Sequence, residues 1–258
     1  ASDWSSDVCS SDLPLTLEIV AAGVVGYLLG SFSSARFVGR LVAPGTDVTR
    51  VAKTLASGDR FEIASASGTA VQLTLGARWG GLTGTLDALK VALPMLAARA
   101  LGFGVEVEVA IAVGGLVGHV LPIWHRFHGG RGEAPTYGAI LTLDPTGVLI
   151  SLAIGMAFGF VVGNILALRW APLVALIGFA AVIRDDALFA TYVAFALLFY
   201  MWASWGELTQ LAVLAKKGTA PGNEEIAAEL GMGGGLGRAV DRWSVPGDRK
   251  STRLNSSH

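Results

Sequence analysis

The sequence predicts an all-α, polytopic membrane helix bundle of about seven transmembrane helices, some of them short or broken. Three observations carry this. Of the 258 residues, 52% are hydrophobic and only 15% charged, against roughly 25% charged in an ordinary soluble domain. Several apolar runs reach the roughly 20 residues that a bilayer crossing needs. The basic residues gather after particular runs, as the cytoplasmic preference of Lys and Arg requires.

The net charge of −1 gives no reason to expect a nucleic-acid partner. Cys9 is the only cysteine, which excludes a disulfide framework and a thiol metal cluster. Residues 1–13 and 248–258 are polar and serine-rich and read as foreign segments, leaving a membrane domain over 14–205 and a cytoplasmic tail with short helices over 206–247.

The first span runs from Leu15 to Val42, interrupted by small residues and Arg36. Gly23, Gly26 and Gly30 fall at helical spacing and suit close helix approach in lipid. Ser31, Ser33 and Ser34, at its basic end, could also line a polar site. The stretch from Ala43 to Arg78 reads as a surface segment with short strands or a hairpin around Phe61 to Thr74. A second span, Trp79 to Leu101, carries Asp87 and Lys90 three residues apart on one helix face. Charges at that depth pair with each other or face a wet cavity. A structural ion pair and a substrate contact are both open for them.

Val105 to Trp124 is the third span. It leaves through His119, Pro122, Trp124, His125, Arg126, Phe127, His128, Gly129, Gly130, Arg131 and Gly132. Three glycines in four residues let backbone N–H groups converge, and Arg126 and Arg131, with the imidazoles when protonated, supply positive charge. This reads as an anion site at a membrane surface. From Glu133 to Trp205 the chain is almost continuously apolar, as three long or four shorter spans. Basic residues cluster after the first span, after the third and at Lys216 and Lys217. Placing all three clusters on one side requires four crossings after Arg131, hence seven in all with the N-terminus outside. The tail is expected to hold an amphipathic helix over Glu207 to Lys217, an Asn-capped helix over Asn223 to Leu230 and a glycine-rich end.

The run Gly231 to Gly237 has neither the preceding strand nor the following acid of a dinucleotide site, and reads as a flexible linker. The three histidines lack the carboxylates and rigid helix of a metal site, so no metal and no cofactor are expected. No G-x-S-x-G elbow is present. A transferase using an already activated acyl donor needs none of these: it needs phosphate contacts, a groove for an acyl chain and a group to take a proton.

From about Leu17 to Ala153 the chain resembles the bacterial acyl-phosphate-dependent glycerol-3-phosphate acyltransferases, membrane enzymes of phosphatidic acid synthesis. The resemblance rests on Gly30-Ser31 and Arg40, Thr74-Leu75-Gly76, Leu86-Asp87-Ala88-Leu89-Lys90 with Pro94, and Gly118-His119. It continues through Pro122, Phe127, Gly129-Gly130, Gly132 and Leu143-Asp144-Pro145. It implies transfer of a fatty acyl group from acyl phosphate to the sn-1 hydroxyl of glycerol 3-phosphate, giving lysophosphatidic acid at the cytoplasmic face of the bacterial inner membrane. Its partners would be acyl phosphate, glycerol 3-phosphate and membrane lipid. His119 and Ser31 are then the catalytic candidates; His119 can equally be a buried structural histidine. Arg40, Lys90, Arg126, His128, Gly129, Gly130, Arg131 and Gly132 are the phosphate-binding candidates, and Asp87 and Asp144 structural or pairing residues.

The chain departs from the family pattern in three places. His128, Arg131, Glu133 and Pro135 stand where the family has Lys, Lys, Val and Thr, and Glu133 would repel a phosphate unless Arg131 or Arg126 neutralised it. The family's Ser-Gly-Asn-x-Gly-Ala-Thr-Asn loop finds only partial echoes in Ser57-Gly58-Asp59 and Ser67-Gly68-Thr69, and its basic cluster after the last span is replaced near Trp205-Gly206-Glu207. These departures also admit a non-catalytic or transport relative that binds a phosphorylated lipid or anion.

Overall fold

The computed structural model describes residues 14–243. The two segments read as foreign and the last residues of the tail lie outside the described residues. The chain forms α1 (Leu15–Gly30), α2 (Ser34–Val42), β1 (Val51–Thr54), β2 (Arg60–Ile63), α3 (Gly68–Leu75) and α4 (Ala77–Ala100). These are followed by α5 (Val105–Val120), α6 (Glu133–Leu143), α7 (Pro145–Val162), α8 (Ile165–Gly178), α9 (Ala187–Ala203), α10 (Trp205–Lys217), α11 (Asn223–Glu229) and α12 (Gly234–Trp243). A π-helical turn over Phe179–Ile183 extends α8. It is a polytopic membrane helix bundle.

The helices α1, α4, α5, α6, α7, α8 and α9 run through the bundle in alternating sense. Pairing at the two ends shows this. At one end Ile123 N–H reaches Ser31 Oγ and Asn223 bridges the α7–α8 turn. At the other Arg99 of α4 binds Glu108 of α5 and the Thr142 carbonyl oxygen of α6, and Asp144 meets Arg184. Length and apolarity alone mark four of these stretches as able to cross a membrane: Leu15–Val42, Val105–His125, Pro145–Val162 and Ile165–Ile183. The pair Ala187–Ala203 and Trp205–Lys217, bent by 61°, adds a fifth when counted as one broken span. Helix α4, polar over its first turns, is not among them, and α6, with 11 residues, spans about 16 Å at 1.5 Å per residue. The outer faces of α1 and α7 expose Leu15, Val20, Leu28, Leu149, Ile154 and Phe158, as a lipid-facing surface requires.

The first span breaks at Ser31–Ser33, where Ser33 caps α2 by accepting from the Arg36 N–H. Helices α1 and α5 run side by side in parallel through glycine contacts. A Cβ on Gly114 would fall on the Gly23 carbonyl oxygen, and one on Gly118 would fall on that of Tyr27. The small-residue spacing therefore serves close approach, as the sequence indicates. Gly118→Leu is expected to destabilise the protein by about 3 kcal/mol or more, seen as a lowered thermal midpoint in detergent, because the obstacle is backbone that cannot move aside.

Three sequence expectations are corrected. The hairpin is β1–β2, with Val51 opposite Ile63 and Thr54 opposite Arg60; most of the stretch Phe61 to Thr74 is loop and α3, which Ser67 caps by accepting from the Ala70 N–H. The glycine run is no flexible linker: Gly231 and Gly233, at φ 76° and 85°, form the tight turn into α12. There a Cβ on Gly237 would fall on the Asn223 backbone. Asn223 does not cap α11. Its amide donates to the Gly163 carbonyl oxygen and accepts from the Ile165 N–H, so the tail is fastened to the α7–α8 turn. The tail also reaches the hairpin, through Lys53–Glu229 at 3.1 Å and the Ala56 N–H donating to Glu225 at 2.7 Å.

Candidate active site

Helix α4 places Asp87 and Lys90 on one face, and the last turn of α5 places His119 against them. The Lys90 Nζ lies 2.8 Å from the Phe32 carbonyl oxygen, 2.9 Å from Asp87 Oδ1 and 2.9 Å from His119 Nδ1. An ammonium has three hydrogens and no acceptor, so all three are placed. His119 Nδ1 also lies 3.4 Å from Asp87 Oδ1, so the three side chains form one coupled cluster. Asp87 and His119 are buried, at 2% and 7% exposure, which in a low-dielectric bundle makes the cluster costly to break.

The basic turn wraps this cluster. After Pro122 it closes through the Phe127 N–H donating to the Pro122 carbonyl oxygen, with Arg126 and Phe127 both left-handed at φ 52° and 61°. The Gly130 N–H donates to the His119 carbonyl oxygen at 3.0 Å, and a Cβ on Gly130 would fall on His119 Nε2. The glycines thus do something other than turn every amide toward a ligand: at Gly130 the amide is consumed, and the missing Cβ makes room for the imidazole. Gly132, at φ 95°, opens α6.

A cavity of about 300 Å³ lies between these elements. It is lined by Asp87 and His119, by Arg131 through Ala134 and Tyr137 at the start of α6, and by Ser67 through Thr69 with Gln72 at the start of α3. Gly80, Gly81 and Gly84 of α4 form its remaining wall. The first turns of α3 and α6 both face it, and helix N-termini present unpaired N–H groups to anions. Of the two partial echoes of the family loop, Ser67-Gly68-Thr69 is the one at the cavity; Ser57-Gly58-Asp59 forms the hairpin turn.

The charges pair differently from the sequence expectation. Arg131, at 3% exposure, does not neutralise Glu133. It donates to Glu207 of α10 at 2.7 Å and to Thr69 Oγ1 at 2.5 Å. Glu133 is bound instead by Arg169 of α8, which also donates to the Tyr200 hydroxyl. Sequence reasoning missed Arg169 and Glu207 as members of the site, and named Thr69 only within a partial echo of the family loop. A signal for Arg169 existed, since it is an ionisable residue inside an apolar run.

The other candidates lie elsewhere. Ser31 is fully buried; its hydroxyl donates to the Tyr27 carbonyl oxygen at 2.8 Å and accepts from the Ile123 N–H at 3.4 Å, clasping α1 to the basic turn. Arg126 and His128 lie on the exposed tip of the turn. The His128 carbonyl oxygen accepts from Arg36 at 2.9 Å. Arg40 lines a separate concavity of about 240 Å³ with Arg36, Asp47 and Thr49. The Thr49 hydroxyl and amide there hold the Asp47 carboxyl below the usual carboxylate range. Asp144 caps α7, accepting from the Gly147 N–H at 2.9 Å, and meets Arg184.

The sequence pattern described as Glycerol-3-phosphate acyltransferase matches residues 20–214. A glycerol-3-phosphate acyltransferase of Rubrobacter xylanophilus is 37% identical over 122 residues, 47% of this chain; the match spans just over half of that relative, 55% of its length. One of Myxococcus xanthus is 31% identical over 196 residues, covering 73% of this chain and 93% of the relative. The glycerol-3-phosphate acyltransferase 5 of Dehalococcoides mccartyi is 28% identical over 211 residues, with 81% and 82% covered. The crystal structure of PlsY (YgiH), an integral membrane glycerol 3-phosphate acyltransferase, in its glycerol 3-phosphate form, superposes with a TM-score of 0.60 at 20% identity. It covers 78% of this chain and 94% of that one, a likeness of fold. The bundle, the buried cluster at the basic turn and these matches together place the chain in the glycerol-3-phosphate acyltransferase family, as an integral membrane acyltransferase.

Proposed function

We propose that the protein transfers a fatty acyl group from acyl phosphate to the sn-1 hydroxyl of glycerol 3-phosphate, at the cytoplasmic face of the bacterial inner membrane. The observation that carries this reading is the cavity itself, where Arg131, two helix N-termini and the Asp87–Lys90–His119 cluster converge beside the glycine turn. The donor is a mixed anhydride and needs orientation and charge stabilisation more than a protein nucleophile. The acceptor oxygen forms the new ester bond to the carbonyl carbon, the bond from that carbon to the phosphate oxygen breaks, and the hydroxyl proton leaves with the phosphate. Arg131 has guanidinium hydrogens beyond those given to Glu207 and Thr69, and holds the substrate phosphate together with the first-turn amides of α3 and α6. Lys90 supplies positive charge from behind His119, whose Nε2 edge faces the turn.

One observation favours a second reading, a relative that binds a phosphorylated ligand or moves an anion without turnover. Lys90, Arg131 and Arg169 are each paired with a carboxylate. Phosphate release from palmitoyl phosphate by the full chain in detergent, with and without glycerol 3-phosphate, separates the two. Acceptor-dependent release supports acyl transfer. A folded protein that binds glycerol 3-phosphate, or passes anions in liposomes, without such release supports the second reading.

A further inference from the structure

Glu133 is the first residue of α6 and lines the cavity, with its side chain 37% exposed. A free carboxylate there would oppose any phosphate approaching the α6 N-terminus. Arg169 prevents it. Its side chain is 4% exposed and sits within α8, facing α6 and α9 rather than the cavity. It binds Glu133 Oε2 and the hydroxyl of Tyr200, itself buried at 1% and packed on Trp170 at a ring separation of 4.2 Å. Tyr200, held by Trp170, fixes the guanidinium through its hydroxyl and its ring, whose centre lies 5.5 Å away. Its Nη1 is buried without a hydrogen-bond partner. A cation held this way is a poor device for stability, because a buried ion pair repays its desolvation only with complete hydrogen bonding. It is a good device for holding one carboxylate in one place.

We propose that Arg169 is a positioning residue for the acceptor site: it neutralises Glu133 and draws its carboxylate toward α8, leaving the α6 end of the cavity receptive to the phosphate of glycerol 3-phosphate. The proposal rests on the acyl-transfer reading. It assigns the two unusual charges, one in the glycine turn and one in an apolar span, to a single function.

The test is a four-variant comparison in detergent, with each protein checked by size exclusion and thermal midpoint. Arg169→Met is expected to raise KM for glycerol 3-phosphate by about 30-fold while kcat stays within about threefold. Adding Glu133→Gln to Arg169→Met is expected to return KM to within about threefold of the parent. Glu133→Gln alone leaves KM unchanged or lowers it, and Arg169→Lys, which keeps the charge but cannot bind Glu133 and the Tyr200 hydroxyl together, falls between the parent and Arg169→Met in KM. A purely structural Arg169 predicts a different pattern, with kcat and midpoint falling together and no recovery on removing Glu133. That pattern, or a raised KM in Glu133→Gln, overturns the proposal. A folded parent without acceptor-dependent release overturns the acyl-transfer reading instead. Calorimetric binding of glycerol 3-phosphate to the same four variants then has to follow the same order, and a different order sinks the role of Arg169.

Discussion

Lys90→Met is expected to lower acceptor-dependent phosphate release by about 100-fold or more, the scale of losing a preorganised charge contact in a water-poor site. The ammonium holds three acceptors from three segments: the Phe32 carbonyl oxygen after α1, Asp87 of α4 and His119 of α5. Removing it leaves Asp87, 2% exposed, as a buried carboxylate with only His119 nearby at 3.4 Å. A broken buried pair costs about 3–5 kcal/mol, so the thermal midpoint also falls. Adding Asp87→Asn to Lys90→Met takes away the stranded charge. The double variant is expected to regain most of the midpoint and none of the activity. That separation distinguishes a charge used in the reaction from one that merely pairs; recovery of both would make the cluster structural.

The bundle was legible because apolar runs and the distribution of basic residues are local properties of the chain. The demand that Arg131 and Lys216 share a side gave four crossings between them; α6 to α9 are four helices, of which Pro145–Val162 and Ile165–Ile183 are each long and apolar enough to cross. Asp87 and Lys90 could be read as a unit because three residues on a helix put them on one face. Partnerships between distant elements left no such trace. Glu207 lies 76 positions from Arg131, and Arg169 lies 36 from Glu133, so neither pairing shows as periodicity. The glycine turn shows the same limit at one position. Glycine serves both to expose backbone and to admit a neighbour, and only the packing of His119 against Gly130 shows that the second use operates there. The tail glycines mislead for the same reason, since Gly237 permits close contact of α12 with α11.

Glu207→Gln is expected to keep the enzyme active and lower KM for glycerol 3-phosphate by about tenfold, whereas Arg131→Ala lowers release by about 100-fold or more. Arg131 is the cation that lines the cavity directly, yet one of its nitrogens is given to Glu207 and another to Thr69. A substrate phosphate competes with the Glu207 carboxylate for the same guanidinium, and part of its binding energy goes to that exchange. Glutamine keeps the shape and one oxygen acceptor, so Arg131 stays in place while the opposing charge is gone. Inorganic phosphate measured as a product inhibitor provides an independent readout: its inhibition constant is expected to fall in Glu207→Gln and to rise in Arg131→Ala. A Glu207→Gln enzyme that loses activity and phosphate affinity together would mean that the full carboxylate is needed to aim Arg131. Helix α10 would then be part of the phosphate site and not a competitor for it.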